Sequence, residues 1–259
     1  MLVDSHCHLD YFTQPGELEA VIARAQEAGV GEMVTIGVTF AQSREILNIA
    51  ARFENVWACV GVHPNHAADV LPVVEPDSLV ALAAHPKVIG IGESGLDYFY
   101  DKAPKDIQAQ NFRANIRAAR LSGLPVCIHA RDADEDIIRI LHEERREGYF
   151  DFLLHCFSSS KQLAEVAIEL GGYISFSGIL TFPKGDSVRE VALMVPQDRL
   201  LVETDSPYLA PTPYRGKRNE PAYATYTARH LAALRKQSET EMAALTTSNF
   251  RTLFKKAKK

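Results

Sequence analysis

Long hydrophobic runs are missing from this sequence. The apolar stretches are short and are interrupted by glycine, proline or charged residues, so none approaches the roughly 20 apolar residues of a membrane-spanning helix. Residues Met1–His6 contain neither a basic segment nor a long apolar segment, unlike a secretory signal. We therefore expect a cytoplasmic protein with no membrane partner, and nothing in the sequence indicates an obligate protein partner.

Cysteine is scarce, and basic charge is not in excess. The 4 cysteines include no CxxC pair, so neither a disulfide framework nor a thiolate zinc site is indicated. The formal net charge is -5, whereas proteins that grip long duplex DNA by its phosphates usually carry a basic face. A strand end or a small phosphate ester is compatible with this charge, because bound metal ions supply local positive charge.

A short β-branched run followed by a helical pattern recurs along the chain. Eight such runs occur, at Leu2–Ser5, Met33–Ile36, Val56–Val60, Val88–Ile91, Val126–Ile128, Phe152–Leu154, Tyr173–Phe176 and Leu200–Val202. Alternating strands and helices in 259 residues predict a single-domain (β/α)8 TIM barrel, which typically needs about 250 residues. An open doubly wound sheet is the alternative, but no GxGxxG turn follows the first strand.

The barrel is predicted to occupy about residues 2–235 of a domain covering 1–259. Asp106 is a candidate cap for a helix that ends at Gly123. Ser238 and Glu241 have the spacing of a capping box, which predicts an extra C-terminal helix at about 238–254. We expect that helix to pack against the barrel exterior.

Histidine and carboxylate residues stand at the carboxyl ends of six predicted strands. They are His6 and His8 after the first strand, His63 after the third, Glu93 after the fourth, His129 after the fifth, His155 after the sixth and Asp205 after the eighth. That rim of an α/β barrel carries the active site. We therefore expect these side chains to converge.

Two local patterns favour metal binding. Side chains alternate along a strand, so His6 and His8 point to the same face. Glu93 lies between glycines that leave room for a bulky group, and a carboxylate can bridge two cations; a strand-end salt bridge is the alternative. Because the candidate donors outnumber the ligands of one tetrahedral ion, we predict two divalent ions that share Glu93. Zinc, manganese and magnesium are the candidate metals.

Two acidic residues near these ligands have separate predicted roles. Glu203 and Asp205 face the same way by the period of two, and Asp205 lies nearer the rim. We therefore assign Asp205 to the metal and to proton transfer, with Glu203 behind the ligands. Asp97 is predicted to hold a loop.

Several residues are candidates for catalysis or substrate binding. Asp205 and Glu93 serve as catalytic residues, together with His63, which contacts a phosphate or protonates the leaving group; its alternative is a structural turn before Pro64. Arg131 follows His129 and is a candidate phosphate clamp or a surface ion pair. Arg215 and Lys217 follow the last strand, where barrels often bind phosphate, although a solvated loop is the alternative.

Several motifs, in order, resemble the TatD family of metal-dependent hydrolases. They are Asp4-Ser5-His6-Cys7-His8, Gly61-Val62-His63-Pro64, Gly92-Glu93-Ser94-Gly95-Leu96-Asp97-Tyr98, His155-Cys156-Phe157 and Glu203-Thr204-Asp205-Ser206-Pro207. The YcfH-type branch is the most similar. The resemblance implies an amidohydrolase-superfamily barrel with metal-dependent deoxyribonuclease activity, exonucleolytic in some members. Its ligands fall on His6, His8, Glu93, His129, His155 and Asp205, and Glu93 stands where many superfamily relatives have a modified lysine.

The sequence thus predicts cleavage of a phosphodiester bond, in a DNA strand or a smaller substrate, by a hydroxide that two metal ions activate. A metallohydrolase of the same fold that cleaves another ester, a lactone or an amide is the alternative. A metal-binding scaffold without turnover would show a missing ligand, and none is missing.

Overall fold

Eight parallel strands form one sheet in the order β1 to β8. The computed structural model describes residues 1–69, 73–100 and 102–257. The strands are β1 (Leu2–Cys7), β2 (Val30–Ile36), β3 (Val56–Val60), β4 (Val88–Asp97), β5 (Val126–Arg131), β6 (Phe152–Leu154), β7 (Tyr173–Phe176) and β8 (Leu200–Val202). Parallel strands in sequence order, with helices between them, make a (β/α)8 barrel, and the predicted fold is confirmed.

The barrel closes between β8 and β1 just beyond the end of β8. A parallel bridge joins Cys7 to Ser206. The His8 backbone N–H donates to the Ser206 carbonyl at 2.8 Å, and that of Asp205 donates to the His6 carbonyl at 2.9 Å. Closure therefore places the segments that carry His8 and Asp205 side by side.

Four strands are longer than their apolar runs predict, namely β1, β2, β4 and β5. The prediction that His6, Glu93 and His129 follow their strands is therefore wrong, because each lies within a strand. Backbone pairing between β4 and β5 continues to Asp97 and Arg131. A polar side chain at the rim does not prevent the backbone from pairing, so hydrophobicity alone underestimates these strands.

Nine helices alternate with the strands or follow them in the described part of the chain. They are α1 (Glu17–Glu27), α2 (Ser43–Arg52), α3 (Pro76–Ala83), α4 (Lys105–Ser122), α5 (Asp134–Glu147), α6 (Lys161–Glu169), α7 (Asp186–Met194), α8 (Ala224–Leu234) and α9 (Glu239–Leu253). None of the described helices is long and apolar enough to cross a membrane.

The predicted helix ends are confirmed with one exception. Gly123 ends α4 at φ 69°, and Ser238 with Glu241 forms the capping box of α9. Asp106 is not the cap of α4, because the helix begins at Lys105 and Pro104 occupies the cap position without a side-chain bond. Asp106 instead lies in the first turn, where a negative charge favours the helix dipole.

The extra helix α9 covers the amino-terminal end of the barrel. Phe250 and Phe254 join a buried cluster that includes Val3 of β1 and Leu201 of β8. The Asn249 side chain also donates to the Leu200 carbonyl, at the start of β8, at 2.9 Å. The opposite end of the barrel carries the histidine and carboxylate residues of the strand ends. Together these residues form a polar cluster.

Candidate metal centre

Glu93 lies at the centre of the polar cluster and is 3% exposed. Its Oε2 atom is 3.5 Å from His6 Nε2 and 4.0 Å from His8 Nε2. Its Oε1 atom is 2.9 Å from His129 Nδ1 and 2.7 Å from His155 Nε2. The two oxygens of one carboxylate therefore face two separate sets of imidazoles.

Asp205 completes the first of these sets. Its Oδ1 atom lies 3.4 Å from His8 Nε2 and 3.6 Å from His6 Nε2. Asp205 follows β8 with a φ of 55°, and its side chain is 15% exposed. The six predicted ligands therefore come together, and Asp205 is the carboxylate among them nearest to solvent.

His63 has both of its nitrogens engaged. Nδ1 accepts the Asn65 backbone N–H at 3.0 Å and so caps the short turn that begins at Pro64. Nε2 lies 3.4 Å from Glu93 Oε1. The turn is therefore capped by the same side chain that reaches the cluster.

Two further carboxylates orient the imidazoles from behind. His155 Nδ1 lies 3.3 Å from Glu203 Oε1, and His129 Nε2 lies 3.1 Å from Asp97 Oδ2. Donation to such a carboxylate fixes the tautomer and leaves the other nitrogen free to bind a cation. In both rings that other nitrogen faces Glu93.

Asp97 has a second role that sequence reasoning missed. Its Oδ1 atom accepts the backbone N–H groups of Phe99 and Tyr100, each at 3.0 Å, so the predicted loop-holding role is confirmed. The contact with His129 was not expected. The period of two from Glu93 would have placed Asp97 on the same face, had β4 been predicted to extend that far.

The charges in the cluster shift its pKa values in opposite directions. Burial opposes ionisation of Glu93, but His155 and His63 outweigh it and hold the pKa of Glu93 well below its usual value. Burial also disfavours the protonated form of His155, but Glu93 and Glu203 outweigh it and raise the pKa of His155 well above its usual value. Protons on imidazoles therefore balance the buried carboxylates.

Cations suit the donors of this cluster. Three groups of side chains have donor atoms close enough to hold an ion: His6, His8 and Glu93; His63, Glu93 and His129; and His6, His155 and Glu203. The buried Nε2 atom of His6 has no hydrogen-bond partner among the described residues. Buried polar atoms without a partner are rare, so this atom indicates a bound ligand. Imidazole nitrogens with carboxylate oxygens suit zinc and manganese.

Glycines near Glu93 make room for a neighbouring strand. A Cβ atom at Gly92 would lie 2.6 Å from the Cys127 carbonyl oxygen of β5, and one at Gly95 would overlap the carbonyl oxygen of His129. The prediction that these glycines leave space for a bulky group is therefore wrong, because the backbone of β5 occupies that space. The same approach brings His129 beside Glu93.

A cavity of about 720 Å³ opens onto the cluster. Its wall includes His8, His63, Glu93, His129, His155 and Asp205, and also Arg131. Arg215 and Lys217 are not part of that wall. Both are exposed, and the Arg215 guanidinium lies 3.4 Å over the ring of Phe182. Their part in substrate binding stays a prediction.

The sequence profile of a family described as TatD related DNase matches residues 3–255. The chain belongs to the TatD family. It is 40% identical over 256 residues to the metal-dependent hydrolase YcfH of Escherichia coli K12, covering 98% of this chain and 95% of YcfH. The predicted family is thereby confirmed, and the chain is a TatD-family metal-dependent hydrolase.

Two other relatives bear on function and fold. The chain is 35% identical over 239 residues to the 3'-5' ssDNA/RNA exonuclease TatD of Salmonella typhimurium, which covers 90% of this chain and 91% of that protein. The crystal structure of YJJV, a TatD homologue from Escherichia coli K12, matches with a TM-score of 0.90 at 29% identity and covers 98% of each chain. The TatD barrel thus spans nearly the whole chain.

Proposed function

We propose that this TatD hydrolase binds two divalent ions and cleaves phosphodiester bonds at the end of a single-stranded nucleic acid, with DNA as the main substrate. His6, His8 and Asp205 would hold one ion, His129 and His155 would hold the other, and Glu93 would be shared by the two. The observation that carries this proposal is the division of the two Glu93 oxygens between two sets of imidazoles. We also propose that residues 1–259 act as one domain.

The ions fit the donors that are present. When bound, such a pair lowers the pKa of a water molecule and neutralises the oxygens of a phosphodiester. The preponderance of imidazole favours zinc or manganese over magnesium.

Asp205 is the proton acceptor in this proposal. Burial opposes its ionisation, but His8 and His6 outweigh that effect and hold the pKa of Asp205 below its usual value. The carboxylate is therefore ionised near neutral pH, and it forms part of the cavity wall. It accepts the proton of the attacking water as the new bond to phosphorus forms and the bond from phosphorus to the leaving oxygen breaks.

His63 is the hydrogen-bond donor to the substrate. Because its Nδ1 accepts the Asn65 N–H, a neutral His63 carries its proton on Nε2. That proton is available to a phosphate oxygen or to the leaving oxygen. Arg131, on the same cavity wall, provides a cationic contact for phosphate in addition to the neutral donor His63. Arg215 and Lys217 guide the nucleic-acid strand from the outer loop.

Three observations support a single-stranded nucleic acid, cleaved from its end, as the substrate. The family is described as a DNase, and the Salmonella relative is named as an exonuclease for ssDNA and RNA. The net charge of -5 disfavours a long duplex held by its phosphates.

The test compares His129→Ala with a histidine variant outside the cluster. Wild type, His129→Ala and His142→Ala are assayed on single-stranded DNA, duplex DNA, RNA, bis(p-nitrophenyl) phosphate and a panel of esters, lactones and amides, with zinc, manganese or magnesium. We expect His129→Ala to lose at least about 100-fold in turnover, with unchanged circular dichroism, and His142→Ala to match wild type.

Two results would contradict the proposal. Full activity of His129→Ala in the presence of metal would show that the proposed metal site does not carry the activity. Turnover by wild type on the ester, lactone or amide panel, with none on any phosphodiester, would favour the alternative metallohydrolase instead.

A further inference from the structure

Exposed aromatic side chains are concentrated at the catalytic end of the barrel. Those that follow the carboxyl ends of strands are Tyr11, Phe40, Phe99, Tyr100 and Tyr208. Large aromatic rings are usually buried in part, and a group of exposed ones marks a binding surface. Tyr11, Tyr100 and Tyr208 form part of the wall of the catalytic cavity, which favours the substrate as the occupant of this surface.

Phe99 and Tyr100 form one such group together with Arg131. Phe99 is 56% exposed and Tyr100 is 51% exposed, and their ring centroids are 5.1 Å apart. The Arg131 guanidinium lies 4.0 Å from the Phe99 centroid and 4.7 Å from that of Tyr100. These three residues are called the Phe99 surface below.

The Phe99 surface is tied to the metal centre. Asp97 accepts the backbone N–H groups of Phe99 and Tyr100 through Oδ1, and it contacts His129 Nε2 through Oδ2. One buried carboxylate thus sets the position of the surface relative to a proposed metal ligand. Tyr100 and Arg131 also form part of the wall of the catalytic cavity.

A second cavity continues beyond the Phe99 surface. It has a volume of about 630 Å³ and shares Ala130, Arg131 and Ser158 with the catalytic cavity. The wall of this second cavity carries the carboxylates of Asp132, Asp134, Glu135 and Asp136, which repel phosphates. Contact of a strand with this side of the catalytic cavity is therefore limited to Arg131 and the Phe99 surface.

We propose that the Phe99 surface stacks an unpaired base of a single-stranded nucleic acid, next to the nucleotide whose phosphodiester is cleaved. This inference rests on the proposed function. Every base has a flat π face, so stacking on aromatic rings and arginine holds a strand without regard to its sequence. A paired base has both faces covered by its neighbours, so the surface also selects unpaired strands over duplex.

The test uses a variant of the ring that lies just outside the cavity wall. Phe99→Ala keeps the backbone N–H that Asp97 accepts. The readout is a ratio: kcat/KM on a single-stranded oligonucleotide divided by kcat/KM on bis(p-nitrophenyl) phosphate, which carries no base. We expect Phe99→Ala to lower this ratio by about 5- to 150-fold. Phe99→Trp should retain most of that ratio, whereas Phe99→Leu, which is apolar but has no π face, should behave like Phe99→Ala.

Tyr149 provides the matched control. It is 69% exposed, and the Arg145 guanidinium lies 4.3 Å over its ring, but it precedes β6 at the other end of the barrel. We expect Tyr149→Ala to leave both activities at the wild-type level. Tyr149→Ala also removes an exposed ring that stacks on an arginine, but it leaves the Phe99 surface intact.

Abasic oligonucleotides identify the stacked nucleotide. A single abasic site is moved along the strand, and the position that contacts the surface should slow wild type but not slow Phe99→Ala further. If wild type cleaves oligonucleotides and Phe99→Ala shows the same ratio and the same abasic profile, the stacking proposal is overturned and the nuclease proposal stands. If wild type cleaves bis(p-nitrophenyl) phosphate but no oligonucleotide, both proposals are overturned.

Discussion

The Thr204 hydroxyl donates a hydrogen bond of 2.6 Å to Asp4 Oδ2, and the Thr204 backbone N–H donates to Asp4 Oδ1 at 2.9 Å. Both residues are fully buried. Thr204 precedes Asp205, and His6 lies two residues after Asp4. This contact therefore sets the separation of two proposed ligands that come from opposite ends of the barrel sequence.

The first prediction concerns Asp4 and pH. Burial raises the pKa of Asp4 from 3.8 to about 8. The folded protein holds a proton that the unfolded chain releases between those values, so this group lowers the free energy of unfolding as pH rises through that interval. Asp4→Asn cannot titrate, and its stability relative to wild type should improve between pH 4 and pH 8.

Urea denaturation at several pH values measures this difference. Asp4→Ala serves as the comparison. It cannot titrate either, so its stability relative to wild type should follow the same pH trend, but it leaves the Thr204 groups without their partner and should be about 1–3 kcal/mol less stable than Asp4→Asn at every pH. A stability difference between Asp4→Asn and wild type that does not change with pH would contradict the prediction.

The second prediction concerns Glu203 behind His155. Glu203→Ala removes the acceptor at His155 Nδ1 and should weaken metal binding about 10- to 100-fold. Glu203→Gln keeps an acceptor oxygen but loses the charge, so its affinity should lie between those of Glu203→Ala and wild type. Calorimetric titration with zinc or manganese measures both affinities. Equal affinity in all three proteins would show that Glu203 does not orient the ligand.

The third prediction concerns metal removal. In the metal-free protein the raised pKa of His155 contributes stability that is fully present below the unfolded value of 6.5 and is lost as pH rises through the folded pKa. The chelated protein should therefore become less stable as pH rises above 6.5. Metal ions replace these protons, so the loaded protein should gain stability over the same range.

Thermal unfolding with and without a chelator, between pH 6 and pH 9, measures the two trends. Proton release on metal addition, recorded in a weakly buffered solution, provides an independent check. Parallel pH profiles for the chelated and loaded proteins would argue against metal at this cluster.

The fourth prediction concerns Gly95. Its φ is +147°, and a Cβ atom there would overlap the His129 carbonyl, so Gly95→Ala must push β4 away from β5. We expect a loss of about 2–4 kcal/mol together with weaker metal binding. Gly123→Ala is the control, because Gly123 also has a positive φ of +69° but has nothing within 4 Å of the added carbon.

Gly123→Ala should cost only about 1–2 kcal/mol and should leave metal binding unchanged. Chemical denaturation and metal titration separate the two variants. Similar losses in both would mean that backbone conformation, and not the approach of β5, requires glycine at position 95.

Much of the candidate site was predictable because spacing constrains direction along a strand. The alternation of His6 and His8 predicted that both imidazoles face one way, and both reach Glu93 and Asp205. Residues beyond the strands were less predictable. Arg215 and Lys217 follow β8 in the sequence, but loop conformation keeps them off the cavity wall.

The sequence by itself determined the class of fold and the donor types. Eight apolar runs that alternate with helices can bury their side chains and pair their backbones in a parallel barrel. The carboxyl ends of the strands then meet at one rim. Tertiary structure alone decided which Glu93 oxygen faces which imidazole, that Asp97 reaches His129 and that Phe99 lies beside the cavity. Those relationships join residues from different strands, and they depend on register and side-chain rotation, which spacing along one chain does not encode.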